Sequence, residues 1–318
     1  MVPDGKPPGL ELRPGDGPDL SEAALDALIR HPNFDRALLA MAASAVQHYR
    51  GSWVLNRLLS DRGRVISAFM ALDLQHGAAD RSGFTLAQFK EEAARHGFAS
   101  PGRVMAWAAA MRLMGYLVPG ESGRPQRLVP TRKFFAMFRE RAELNWPPMA
   151  LIHPPVQRAI ALAGDDTFLA HFAAGLMGLY RRGQRVLDGT PDLAAIAERE
   201  AGICILFSIL LRDAAGEAII IGHLARDFSV SRAHIRSILR SAQTSGMMRV
   251  EADGEYRLDP RFRVRISRFV AALFQAHFFA VDRALAIHAV RQAEADPIDI
   301  PVVPPVPTGG AIRPRMLL

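Results

Sequence analysis

The sequence has few of the features that secreted, disulfide-bonded or membrane proteins use. It contains one cysteine in 318 residues, Cys204, which excludes an intrachain disulfide and gives no sign of an oxidising compartment. The N-terminus lacks the charged segment, apolar stretch and cleavage site of a signal peptide. The longest apolar run, residues 203–211, is about half as long as a membrane span requires. We therefore expect a cytoplasmic protein that does not span a membrane, with Cys204 buried in its core.

The sequence also lacks the short motifs through which many enzymes bind phosphates, metals or acyl groups. It has no glycine-rich phosphate loop, no Gly-x-Ser-x-Gly elbow, no His-Glu-x-x-His and no metal-ligand spacing of Cys and His. The acidic pair Asp165-Asp166 precedes an apolar helix, where carboxylates suit the positive end of the helix dipole. We expect no catalytic activity, no metal and no cofactor.

What the chain does contain favours a packed, mainly helical protein. Hydrophobic residues make up 49% of the sequence and charged residues 22%, which is typical of globular proteins. Alanine, leucine and arginine are abundant, which favours helices. Proline and glycine are concentrated at the two ends, so residues 1–19 are predicted to form a flexible arm and residues 296–318 a Pro-rich tail.

The region between these ends repeats itself. At an offset of 131 residues, Ser100 corresponds to Ser231, Gly115 to Gly246, and Tyr49-Arg50 to Tyr180-Arg181. Residues 127–130 are matched to residues 257–260, at an offset of 130. Nearly constant offsets predict two copies, roughly 33–146 and 167–285, joined by Pro147-Pro148 and His153-Pro154-Pro155. The corresponding domains are 20–150 and 151–295.

In the second copy, apolar spacing predicts two short helices, 223–228 and 232–245, with Ser231 as the cap of the second. One face of that second helix is apolar, and Gly246 ends it. Three basic residues lie on the opposite face at a spacing of four: Arg232, Arg236 and Arg240. Two short strands then flank Asp253-Gly254, which is a strong hairpin signal.

The stretch from Leu224 to Met248 resembles the winged helix-turn-helix transcription regulators of the MarR and GntR types. The resemblance implies a mainly α fold with small β-wings, in which tandem winged helix-turn-helix units are flanked by interface helices. It implies double-stranded DNA as the partner, a pseudo-dimer made from one chain, and a small-molecule effector pocket between the interface helices and the winged units. The implied function is a sequence-specific transcription regulator.

The first copy has the same order of features but a weaker basic surface. Its predicted recognition helix, 101–114, begins after Ser100 and carries Arg103 and Arg112 outward amid alanines. Its wing, 120–127, brings Arg124 and Arg127. We expect this copy to contact the DNA backbone through its wing more than to read bases.

The candidate DNA-contacting residues follow from these patterns. In the second copy they are Ser231, Arg232, His234, Arg236, Arg240, Arg249 and Arg257. In the first copy they are Ser100, Arg103, Arg124 and Arg127.

The distribution of charge favours DNA more than the total does. The chain carries +7, while residues 84–141 carry +6 and residues 226–268 carry +5, so the remainder is negative. A row of arginines without paired glutamates would repel itself, which argues against a merely solvated face. The basic stretch after the wing, 261–268, has two interpretations: it contacts phosphates, or it covers the next helix.

Five apolar segments are predicted to pack as interface helices within the chain: 34–49, 65–74, 167–180, 203–211 and 266–288. Such a protein would be a monomeric pseudo-dimer or a homodimer. It would hold two recognition helices on the order of 34 Å apart. Because the copies are unequal, the DNA site is expected to be asymmetric.

Two alternatives stay open from the sequence. Some replication initiators also carry two winged helices on one chain, so an initiator-like DNA-binding protein is one alternative. The other is a winged-helix protein-interaction module without DNA binding, as in some chromosome-condensation accessory proteins. That module needs no basic face, so the arginine row argues against it.

Overall fold

The computed structural model describes residues 17–52, 54, 58–77, 83–120, 125–251 and 255–295, and the protein is mainly helical with two small antiparallel sheets. The helices described in the first half are α1 (Glu22–Ile29), α2 (Phe34–Tyr49), α3 (Arg62–Gly77), α4 (Leu86–His96), α5 (Pro101–Leu113) and α6 (Arg132–Ala150). Those in the second half are α7 (Pro155–Ala161), α8 (Asp166–Arg181), α9 (Pro191–Ala197), α10 (Gly202–Ala214), α11 (Ile221–Asp227), α12 (Arg232–Thr244) and α13 (Pro260–Ala295).

The strands form one small sheet in each half. In the first half, β1 (Phe84–Thr85), β2 (Leu117–Pro119) and β3 (Arg127–Pro130) lie in the order β1-β3-β2. In the second half, β4 (Met248–Val250) pairs with β5 (Tyr256–Leu258). The predicted Asp253-Gly254 turn lies outside the described residues, but the strands on either side of it are antiparallel, as predicted.

A hairpin follows a pair of short helices in each half, and in the first half β1 also precedes the pair. We call residues 84–130 the first head and residues 221–258 the second head. The predicted caps are confirmed: the Ser100 hydroxyl accepts from the Arg103 amide at 3.3 Å, and the Ser231 hydroxyl from the His234 amide at 3.1 Å. Gly246 follows α12 with φ 70°, the left-handed conformation that ends helices at low cost for glycine.

The two hairpins correct one part of the sequence match. Leu117 lies opposite Pro130, and Met248 lies opposite Leu258. Since Leu117 and Met248 are equivalent, Pro130 is equivalent to Leu258, and the offset there is 128 residues. The match of 127–130 to 257–260 was therefore wrong by two residues. A two-residue slip keeps every side chain on the same face of a strand, so alternation in the sequence cannot reveal it.

The long helices pack across the boundary between the halves. Helix α2 packs against α10, and its counterpart α8 packs against α3, the counterpart of α10. Within each half, α2 packs against α6 and α8 against α13. These equivalent contacts follow a pseudo-two-fold relation, and the buried residues form a continuous core that includes both halves. The helices predicted to form an interface therefore do so within one chain.

Each head is also attached to the opposite half by an arginine. Arg50, at the end of α2, pairs with Asp227 of the second head at 3.4 Å, and the Gly51 amide donates to the Asp227 carbonyl. Its equivalent Arg181, at the end of α8, donates to Glu92 of the first head at 2.8 Å. The repeated Tyr-Arg pair of the sequence thus marks the points where α2 and α8 meet the heads.

Several boundaries differ from the sequence prediction. Pro147 and Pro148 were expected in the connection but lie near the end of α6. Proline has no backbone N–H to donate, and so close to the end of the helix its effect is confined to the last turns. The connection is therefore residues 151–154. Helix α13 is longer at both ends than the predicted 266–288, because its first turns carry arginines that periodicity did not assign to a helix. Residues 1–16 of the predicted arm and the tail 296–318 lie outside the described residues.

Helix α13 is long and apolar enough to cross a membrane by length and composition. The window has a mean hydropathy of 1.4, and 56% of it is buried inside the protein, chiefly against α8 and also against α1 and α7. A core helix passes the same test, so this feature is weak evidence for a membrane span.

The crossing of α8 and α13 depends on a small residue. A Cβ atom added to Gly175 would lie 3.1 Å from both Cα and Cβ of Ala280. This distance is shorter than an ordinary van der Waals contact, so the two backbones approach closely only because Gly175 has no side chain.

We therefore expect Gly175→Val to destabilise the protein by about 1–3 kcal/mol, because the added methyl groups must push α8 and α13 apart. Thermal or urea unfolding of the full chain measures the change. Gly102→Val is the matched control, since Gly102 is exposed on a helix and a Cβ there meets nothing within 4 Å. Equal losses for the two variants would show that the α8–α13 contact tolerates a larger residue.

Candidate nucleic-acid interface

Helix α12 is the best-defined element of the second head. Ser231 caps its start, and Ile235, Ile238, Leu239 and Ala242 are buried along one face. The turn before it includes Ser229 at φ 55°, a left-handed conformation that redirects the chain between α11 and α12. These contacts fix which face of α12 points away from the protein.

The outward face carries Arg232, Arg236 and Arg240, all of them exposed. Consecutive members are separated by about 6 Å along the helix axis, given 1.5 Å per residue. Within the described part of the chain, none of the three forms an ion pair or a side-chain hydrogen bond. Three unneutralised guanidinium groups therefore lie in a row on a rigid helix.

The back of α12 is attached to the body of the protein. The His234 ring nitrogen Nε2 lies 2.9 Å from the Glu200 carbonyl, and Arg199 donates to the Ser237 hydroxyl at 2.9 Å. His234, a predicted DNA contact, is therefore half-buried and engaged with the chain itself. Its position helps to orient the arginine row.

The hairpin of the second head adds two exposed arginines. Arg249 and Arg257 lie opposite each other on β4 and β5. Each pairs at 2.7 Å with a carboxylate next to its own strand: Arg249 with Glu251, just after β4, and Arg257 with Glu255, just before β5. Exposed pairs of this kind contribute little stability, so a phosphate can replace the carboxylate at low cost.

The first head does not reproduce the arginine row. At the offset of 131, the positions of Arg232, Arg236 and Arg240 are occupied by Pro101, Met105 and Ala109. Met105 is 50% exposed, and nearby Leu113 and Val118 are also exposed. The outward face of α5 therefore carries apolar residues and the exposed Arg112 in place of a row of arginines.

The other candidate residues of the first head serve the fold or lie outside the described residues. Arg103 pairs with Asp61 at 3.0 Å and with Glu198 at 3.5 Å. Arg127 donates to the carbonyl of Gly83, the residue before β1, at 2.8 Å. Ser100 caps α5, and Arg124 lies outside the described residues. Arg103 therefore pairs with carboxylates of the protein itself, whereas the sequence analysis placed it on an outward face.

The basic stretch after the second hairpin covers neighbouring helices, which was one of its two interpretations. Three of its arginines pair with carboxylates from other parts of the chain: Arg263 with Asp35, Arg265 with Asp192, and Arg268 with Glu22 and Asp26. Arg261 pairs with its near neighbour Asp259. The sequence charge count therefore overstated the positive charge that these segments leave unpaired.

A second feature of the molecule was not located by the sequence analysis: a cavity of about 250 Å³ between the two halves. Helices α2, α3, α6, α8, α9, α10 and α13 all contribute to its wall. The wall is mostly aliphatic and aromatic, with a few polar groups that include His48, Tyr49, Arg141 and His277. The available signal was Arg141 itself, a basic residue between the buried Phe138 and Ala142.

Burial controls the protonation of the groups around this cavity. Burial, assisted by the nearby Arg141 charge, lowers the pKa of His48 to about 4. Burial also lowers the pKa of His277 to about 4. Burial raises the pKa of the Cys204 thiol to about 12, so Cys204 is protonated and buried, as predicted. Both histidines are therefore neutral at pH 7.

Among the described residues, no group of three or more His, Cys, Asp or Glu side chains could hold a metal ion. No protein-family model, curated protein or solved structure matches this chain. The interpretation of both sites therefore rests on their geometry and chemistry.

The neutral His48 makes stability depend on pH. Its folded pKa of about 4 lies below the unfolded value of about 6.5, so the unfolded chain gains a proton first as the pH falls. The contribution of His48 to the free energy of unfolding is fully present above about pH 6.5 and declines as the pH falls towards about 4. The expected loss at pH 5 is about 2 kcal/mol.

His48→Leu should remove that part of the pH dependence, since leucine is the residue at the equivalent position, Leu179. Urea unfolding at about pH 7 and about pH 5 measures the difference. An equal loss in the variant and the natural protein between these two pH values would contradict the assignment.

Proposed function

We propose that this protein is a double-stranded DNA-binding transcription regulator built from two winged helix-turn-helix units, with the second head as the main DNA-contacting unit. The observation that carries the proposal is the row of Arg232, Arg236 and Arg240, which is exposed and unneutralised on a capped helix. Phosphate neutralisation releases counterions and drives association, so such a row favours DNA strongly.

The order of elements supports the same function. Helix, turn, helix and hairpin occur in each head, and the hairpin of the second head carries Arg249 and Arg257 beside the helix. A helix of this kind enters the major groove, while a wing contacts the flanking backbone. We place the protein in the cytoplasm, acting as a pseudo-dimer in one chain.

The two heads have different roles in this proposal. The second head reads DNA, while the first head, with Met105 and Ala109 in place of arginines, makes a weaker contact. The exposed apolar face of the first head favours a second candidate function for that head alone, which is binding to another protein.

Replacing Arg232, Arg236 and Arg240 together by alanine should lower DNA affinity by roughly 100-fold or more, since each contact contributes about 1–3 kcal/mol. Fluorescence anisotropy with a short mixed-sequence duplex measures the affinity. If all three arginines contact phosphates, the slope of log affinity against log salt falls by about 2.7.

A charge-matched control removes three exposed arginines that also lack an ion pair among the described residues and lie outside the heads: Arg30→Ala, Arg36→Ala and Arg158→Ala together. This control should retain most of the affinity. Equal losses in both triple variants would mean that only total charge matters, and no loss in the α12 variant would favour the protein-interaction function instead.

A further inference from the structure

The cavity between the two halves has the composition of a ligand site. Its wall includes the aromatic side chains Phe69, Phe138, Trp146, Phe172, Phe207 and Phe269. Protein interiors contain few voids larger than one water molecule, which occupies about 30 Å³ in the liquid, whereas this cavity measures about 250 Å³. A volume of this size accommodates a molecule of roughly ten non-hydrogen atoms.

Arg141 is a charged residue at the wall that has no counter-ion among the described residues. Within the described residues, Arg141 has no carboxylate within ion-pair distance, and its Nη1 donates to the Tyr49 hydroxyl at 2.9 Å. The Tyr49 hydroxyl in turn donates to the Leu59 carbonyl at 3.0 Å. A guanidinium group has five N–H donors, so most of those on Arg141 stay available to a bound group.

The other charged groups at this wall are already neutralised or hydrogen-bonded. Asp61 lies between Arg64 and Arg103, each at 3.0 Å. Arg62 pairs with Glu198, and Arg185 donates to the His96 carbonyl. Among the described residues, Arg141 and Arg185 are therefore the two cations at this wall without a carboxylate partner, and Arg141 is the one close enough to His48 to assist burial in lowering its pKa.

His48 provides a second, independent sign of a ligand. Its side chain is fully buried at the cavity wall, and neither ring nitrogen has a hydrogen-bond partner, since the nearest carboxylate, that of Glu140, lies 3.9 Å from Nδ1. The neutral ring offers one donor and one acceptor, and a buried polar group without a partner is costly. A ligand oxygen accepting from this ring would remove that cost.

The pair of His48 and Arg141 is present once per chain. Both residues belong to the first half, and their equivalents in the second half are Leu179 and Phe269, at offsets of 131 and 128 residues. The second half contributes other polar groups to the wall, among them Tyr180 and Arg185, but it does not repeat this pair. This difference predicts a single, oriented ligand.

We propose that this cavity binds one small apolar carboxylic acid per chain. The carboxylate pairs with Arg141 and accepts a hydrogen bond from His48, while the hydrocarbon part lies along the aromatic wall. Pairing of opposite charges is stronger inside a protein than in water, so the anion is strongly preferred to a neutral molecule of the same shape. The site goes beyond DNA binding and stands whether or not the second head binds DNA.

The experiment is calorimetric titration of the full chain, without DNA, using octanoate and 1-octanol as probes of nearly equal size. We expect octanoate to bind at one site per chain, at least about tenfold more tightly than 1-octanol. Arg141→Met should weaken octanoate binding by about tenfold or more and leave 1-octanol binding nearly unchanged. Equal affinities for the two probes, or binding of neither, would overturn the proposal.

A second variant tests the location independently of Arg141. Ala45 lies at the cavity wall, so Ala45→Phe should fill the space and abolish binding of both probes. Circular dichroism verifies that each variant is folded. If Arg141→Met does not fold, the probe ratio in the natural protein and the result for Ala45→Phe decide the question, and octanoate binding that survives Ala45→Phe would overturn the assignment to this cavity.

Discussion

The packing of α2 against α10 and of α8 against α3 is the contact on which the rest of the structure depends. Each of these helices is apolar over a wide face, and the partner that covers it comes from the other half of the chain. Burial of apolar area contributes about 25 cal/mol per Å², so each half stabilises the other through this contact. Arg50 and Arg181 then attach each head to the opposite half, which fixes the heads to this shared core.

Within this shared core the two halves have diverged at their surfaces and in their interior. The second head has three arginines where the first has Pro101, Met105 and Ala109. In the cavity the first half has the polar residues, since it provides His48 and Arg141 where the second half has Leu179 and Phe269. One half thus holds the proposed DNA-contacting row and the other holds the proposed ligand contacts. A pseudo-symmetric core permits this division because the packed helices hold these positions in place in both halves.

Much of the fold could be predicted from the sequence because it follows from local rules. The caps Ser100 and Ser231, the buried stripe of α12 and the left-handed Gly246 all depend on residues close in sequence. Contacts between distant residues could not be predicted. The ion pairs of Arg103 with Asp61 and Glu198, the contact of His234 with the Glu200 carbonyl and the assembly of the cavity from seven helices all require the tertiary structure. The charge count failed for the same reason, because it could not show which carboxylates lie beside which arginines.

The central claim is that two unequal heads on one core act on DNA mainly through the second. In-vitro selection of bound duplexes with the full chain tests it most directly. We predict an enriched site in which one half carries nearly all the sequence information and the other half is weakly defined. An enriched inverted repeat with two equal halves would contradict unequal heads, and the absence of any enriched sequence would contradict sequence-specific DNA binding.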